Sequence, residues 1–140
     1  MKWILYCKAC RRALTRAVTM VSGRDPGVVP PELEDMQSPT AGGTVFKSYE
    51  SYRHALSDPR HLLQYIPQVW MNLADLLGEA RFTPKLERRF GCCGLDGCDG
   101  PNRICECGEH IGTESSDCWT PRMFIPDPAA TQWQNAEGAS

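Results

Sequence analysis

Trp3-Ile4-Leu5-Tyr6-Cys7-Lys8-Ala9-Cys10, followed after a basic segment by Ala17-Val18-Thr19-Met20-Val21, is the stretch from which the fold can first be read. Two compact apolar runs rich in β-forming residues flank a Cys-x-x-Cys turn, the layout of a hairpin whose tip is a metal knuckle. The apolar run stops at Cys7-Lys8. It is shorter than the ~7–15 residues of a signal-peptide core, so a secretory leader is not expected and a cytoplasmic location is. Paired thiols in a reducing compartment suit metal binding better than structural disulfides.

Working outward, residues 1–21 form this hairpin and residues 22–43 an exposed loop. The loop is rich in Gly, Pro, Ser and acids, with Pro30-Pro31 barring helix or central strand. Residues 44–89 are expected to hold a strand and one or two helices. Thr44 to Tyr49 reads as the strand, and Asp58-Pro59 as a helix start with an N-cap before proline. Val69, Trp70, Leu73, Leu76 and Leu77 recur at helical spacing up to Gly78, which predicts an amphipathic helix packed on the core. Residues 90–125 are Gly- and Cys-rich and acidic, and residues 126–140 are a tail. The expected architecture is one small α+β domain with a zinc-ribbon-like element joining its N- and C-terminal regions.

Composition supports one modest core. The chain has 140 residues, 41% hydrophobic and 23% charged, which is ordinary for a globular domain and unlike a disordered chain. No run approaches the ~18 apolar residues of a membrane helix, so no membrane role is expected. The formal charge of −2 conceals two opposed ends. Residues 1–24 carry six cations and no acid, whereas residues 91–140 carry two arginines against eight acids. These ends should attract one another, and the overall basic surface of a nucleic-acid binder is missing.

Eight cysteines hold most of the chemical information. Tetrahedral zinc takes four N or S ligands, commonly from two tight turns brought together by the fold. Cys7 and Cys10 form one such turn. Cys105 and Cys107, followed by Gly108 and the strand-like Glu109-His110-Ile111-Gly112, are read as the second, although their spacing is one residue shorter. Cys92 and Cys93 are substitutes in the second pair. A second site drawing on Cys92, Cys93, Cys118 or His110 is a lesser alternative, and Cys98 reads as a small buried hydrophobe.

Other constellations are weaker. Asp96, Asp99 and Asn102 lack the spacing of a calcium loop and read as turn formers. His54 and His61 have no metalloprotease partner, and nothing singles out a nucleophile with a positioned base. No catalytic residue, organic cofactor or small-molecule substrate is therefore assigned. A thiol oxidoreductase would use Cys7-x-x-Cys10 at a helix start, but the repeated βα pattern of such folds is missing.

The elements GCCG, DGPN, CxCG and TExSDCW between Gly91 and Trp119, together with the N-terminal Cys-x-x-Cys, resemble a group of small, largely uncharacterised bacterial proteins. In that pattern the position of Cys98 is usually apolar, and no enzymatic activity comes with it. Small, cysteine-stapled, mildly acidic proteins of this kind look like immunity proteins, which block secreted antibacterial toxins by occlusion. On that analogy the expected function is non-enzymatic. A structural zinc would shape an acidic surface of Asp96, Asp99, Glu106, Glu109, Glu114 and Asp117, which would oppose the basic cleft of a toxin such as a nuclease. The competing reading is a zinc-ribbon regulator or nucleic-acid-binding module, with Lys8, Arg11, Arg12 and Arg16 around the knuckle.

Overall fold

Apolar residues on both faces of the same short strands dictate the architecture. In the computed structural model, which describes residues 1–52, 63, 65–78, 80–89, 94–95, 97 and 100–136, nine strands form one sheet. These are β1 (Lys2–Cys7), β2 (Val18–Ser22), β3 (Thr44–Ser48), β4 (Gln68–Met71), β5 (Ala80–Phe82), β6 (Arg103–Cys105), β7 (His110–Ser115), β8 (Met123–Pro126) and β9 (Thr131–Asn135). Their order is β5-β6-β7-β8-β4-β3-β2-β1-β9. Only β2 and β3 pair in parallel, and every other neighbouring pair is antiparallel. The sheet curls into a half-barrel.

The α+β expectation is corrected: among the described residues there is no α-helix, only single 3-10 turns at Leu73–Asp75 and Leu86–Arg88. The helix predicted from Gln68 to Gly78 is instead strand β4, a 3-10 turn, and an isolated bridge from Leu76 to Thr15. Two short extended pieces can bury the same leucines that a helical stripe would. The choice falls to the polar residues between them. Asn72 accepts from the Ala74 N–H at 2.9 Å and donates to the Thr40 carbonyl at 2.9 Å, ending the strand. Gln68, buried, accepts from the Tyr52 N–H and the Trp70 Nε1–H and donates to the Leu63 carbonyl. The predicted helix start at Asp58-Pro59 lies outside the described residues, as do His54 and His61.

Side chains alternate across the central strands, so each face carries its own core. Leu5, Val18, Val45, Met71 and Phe124 fill one cluster, together with Cys7 and Cys105. Phe46, Trp70, Met123 and Ile125 form a second, in which the Phe46 and Trp70 ring centroids are 5.7 Å apart. Val28 and Leu33 pack on this second cluster, so the loop of residues 22–43 is exposed but anchored. The tail expected over residues 126–140 is also corrected. It contains β9, which pairs with β1 from Trp3↔Asn135 to Cys7↔Thr131.

Curling brings the two ends of the sheet together, although β1 and β6 stand six places apart in strand order. The return of the first hairpin closes part of this gap. The Leu77 N–H donates to the Leu14 carbonyl at 2.8 Å just before β5 begins. Beneath it Asp75, fully buried, accepts from the Gly43 N–H at 2.9 Å and from Arg16 Nε at 2.7 Å. No helix among the described residues is long and apolar enough to cross a membrane.

Candidate metal centre

Two strand ends set the site. Cys7 is the last residue of β1 and Cys105 the last of β6, and both are buried in the same apolar cluster. Each strand then enters a tight turn whose second cysteine, Cys10 or Cys107, is exposed. The turns share a construction. In the first, the Cys7 N–H donates to the Arg12 carbonyl at 3.0 Å and the Arg11 N–H to the Cys7 carbonyl at 2.9 Å. In the second, the Cys105 N–H donates to the Glu109 carbonyl at 2.9 Å and the Gly108 N–H to the Cys105 carbonyl at 2.9 Å. Each turn ends on a left-handed residue, Arg11 at φ 64° and Gly108 at φ 95°. The second turn is one residue shorter, which accounts for its Cys-x-Cys spacing in place of Cys-x-x-Cys.

The four sulfur atoms converge. All lie within 4.8 Å of one another, with Cys7 Sγ 3.7 Å from Cys107 Sγ and Cys10 Sγ 3.4 Å from Cys105 Sγ. Four thiolates around a tetrahedral ion with bonds of about 2.3 Å stand roughly 3.8 Å apart. The donor set and its spacing therefore fit a metal of the zinc type, and the four-cysteine cluster could hold one ion.

Backbone N–H groups point at the sulfurs and favour their charged form. Those of Ala9 and Cys10 reach Cys7, that of Arg12 reaches Cys10, and that of Cys107 reaches Cys105. Burial works in the other direction. It pushes the Cys105 thiol up to about 12 and raises Cys7 as well, while the Arg12 N–H, chiefly, and then the neighbouring thiols bring exposed Cys10 down to about 7. A divalent cation would supply the positive charge that the two buried thiols lack.

Opposite charges meet at the rim, as the charge asymmetry predicts. Arg12 Nη1 lies 2.8 Å from Glu106 Oε2, linking the two turns, and Lys8 Nζ donates to the Pro128 carbonyl at 3.1 Å. Both partners of the ion pair are about half exposed, so its contribution is at most ~1 kcal/mol.

The other sequence candidates separate. Cys92, Cys93, Cys98, Asp96 and Asp99 lie outside the described residues. Cys118 is half-buried away from the cluster, and His110 Nε2 is 2.8 Å from Thr83 Oγ1, so neither joins these four sulfurs. The acidic partner surface needs correction. Glu109 is exposed and Glu106 sits in the rim pair, but Glu114 and Asp117 are buried. Glu114 lies 2.6 Å from Arg103 Nη1 and accepts from Ser116 Oγ at 2.7 Å, while Asn102 pairs with its backbone in both directions. The burial of β7 on both faces turned Glu114 inward, where it links β7 to Arg103 of β6.

Two groups of residues escaped sequence reasoning. Asp75 and Arg16 stitch the 40–43 loop to the turn after β4, and a lone acid within an apparent leucine stripe was the available signal. Exposed apolar residues interleaved with like charges, at residues 29–36 and 81–89, were the other. No family model matches this chain, and neither the curated proteins nor the solved structures contain a match to it.

Proposed function

We propose that the four cysteines hold a structural Zn2+ and that the protein works without catalysis, by presenting a rigid surface to another protein. The convergence of Cys7, Cys10, Cys105 and Cys107 from two remote turns carries this reading. A site with four protein thiolates uses every position of a tetrahedral ion for the fold and keeps none for substrate, the pattern of structural zinc. When bound, the ion would neutralise thiolate charge beside an apolar core and tie together the two ends of the sheet. The finer reading is a cytoplasmic immunity protein that neutralises a secreted toxin, supported by the resemblance of the Gly91 to Trp119 segment and by the all-sheet, turn-locked build.

Metal analysis of the purified protein tests the first part, with about one zinc per chain expected. A fully folded protein that neither contains nor takes up zinc would overturn it. Co-expression with the product of the neighbouring gene tests the second. Rescue of cells from that product's toxicity is expected, and failure of rescue by zinc-loaded, folded protein would remove the immunity reading while leaving the metal site intact.

A further inference from the structure

Large apolar side chains exposed to water are costly unless something covers them, and here they are not scattered. Of the seven such residues among those described, Val29, Met36 and Trp119 accompany one patch, and Phe82 and Leu86 another. The first patch is acidic. Glu32, Glu34 and Asp35 are exposed in the same loop as Val29 and Met36, and no ion pair among the described residues engages them. The loop is firmly held, with Leu33 packed on the second cluster and the Met36 N–H donating to the Thr120 carbonyl at 2.8 Å. That bond also sets Met36 beside the segment displaying Trp119, which is 61% exposed.

The second patch is basic. Residues 81–89 carry Arg81, Lys85, Arg88 and Arg89 against Glu87, a net +3, opposite the three loop acids, near which exposed Arg122 donates its N–H to the Gln37 carbonyl at 2.9 Å. Phe82 is 46% and Leu86 70% exposed. The Arg103 and Arg89 guanidinium carbons lie 4.5 and 5.7 Å from the Phe82 ring centroid, so the ring is held by cations and is poorly placed to stack on a nucleobase. The 116–120 turn connects the patches. Ser116 lines the same hollow as Phe82 and Arg89, and Thr120 receives the Met36 bond.

We infer that the partner for this two-part surface is a second copy of the chain, the acidic Met36–Trp119 patch of one copy covering the basic Phe82–Leu86 patch of the other. A two-fold axis lays a surface with adjoining acidic and basic halves onto itself with the charges reversed, so both contacts form at once. The opposed charges and the apolar side chains in each patch are the complementarity that such an interface requires. The paired rings and methionines would form the dry middle, and the charges the salt-sensitive rim.

Sedimentation of the zinc-loaded full chain at about 0.1 mM, enough to populate a dimer of micromolar affinity, tests the inference. A dimer is expected in about 0.05 M salt, weakened about tenfold or more in 0.5 M salt, where the screening length falls to a few ångströms. The variant Glu32→Lys with Glu34→Lys, and separately Lys85→Glu with Arg89→Glu, should each be monomeric while retaining the zinc and the sheet spectrum of the parent. Mixing the two should restore a dimer containing one of each. A parent that stays monomeric at low salt overturns the inference, as does a dimer that neither charge reversal disturbs. Zinc content is read in the same samples, so failure here is distinguishable from failure of the metal site.

Discussion

Cys7 and Cys105 differ from Cys10 and Cys107 in one respect that decides their chemistry: they are buried. Their thiols hold protons more tightly than ordinary cysteine, so uptake of a cation must displace those protons. Zinc affinity should therefore rise steeply with pH, which competition with a chromophoric chelator at several pH values would measure. The metal-free fold should behave in the opposite sense. Cys105 has its folded-state value raised from 9.0 to about 12, so the protonated, folded state is favoured below 9. That contribution is lost as pH rises from about 9 to about 12. Urea midpoints of the metal-free protein should fall across that window, and those of a Cys105→Ala variant should not follow the same course. Glu114 poses a related test. Its pair with Arg103 is buried at Glu114 and largely covered at Arg103, so Glu114→Ala leaves a guanidinium without its counter-charge and should cost about 3 kcal/mol in chemical denaturation.

Among the elements, strands were legible where β-branched and aromatic residues alternate or cluster between turn residues. β1, β2 and β3 follow from Trp3-Ile4-Leu5-Tyr6, Ala17-Val18-Thr19-Met20-Val21 and Thr44-Val45-Phe46, and the first Cys turn was legible with them. β4 was not, because Val69, Trp70, Leu73, Leu76 and Leu77 satisfy helical spacing as well as they satisfy a strand followed by a bridge. Only tertiary partners separate the two: Gln68 reaching Tyr52, Asn72 reaching Thr40, and Leu77 reaching Leu14. β9 was missed because Gln132 and Gln134 look like a solvated tail until β1 is beside them. The inward turn of Glu114 was equally hidden, since its cation lies across the β6–β7 pairing. Gly112 shows how tightly β7 and β8 meet. A side-chain carbon there would stand 2.5 Å from both the Ile125 carbonyl oxygen and the Phe124 ring. Gly112→Ala should destabilise the protein by about 1–3 kcal/mol, read from the shift in its thermal midpoint.

At the scale of the molecule, the sheet is an open curl and the cysteine cluster spans its two remote ends. The sulfurs that approach most closely are 95 and 100 residues apart in sequence. An ion bound across them would stabilise the fold by its own binding free energy, about 4 kcal/mol at a free concentration a thousand times its dissociation constant. Chelation should therefore lower the thermal midpoint by many degrees, and hydrogen exchange should quicken first in β1, β6 and the turns they carry. Readdition of zinc should reverse both, and a midpoint indifferent to chelator would show that the curl stands without a clasp. The same arrangement gives the chain a timetable. During synthesis the first turn, with Cys7 and Cys10, emerges long before Cys105 and Cys107, and β1 waits for β9 to cover its outer edge. Until then two unsatisfied thiols and a bare strand edge are open to any cation or chain that passes. An ion held by all four cysteines could be locked in only after β6 and its turn have emerged, with β7, β8 and β9 still to join the sheet.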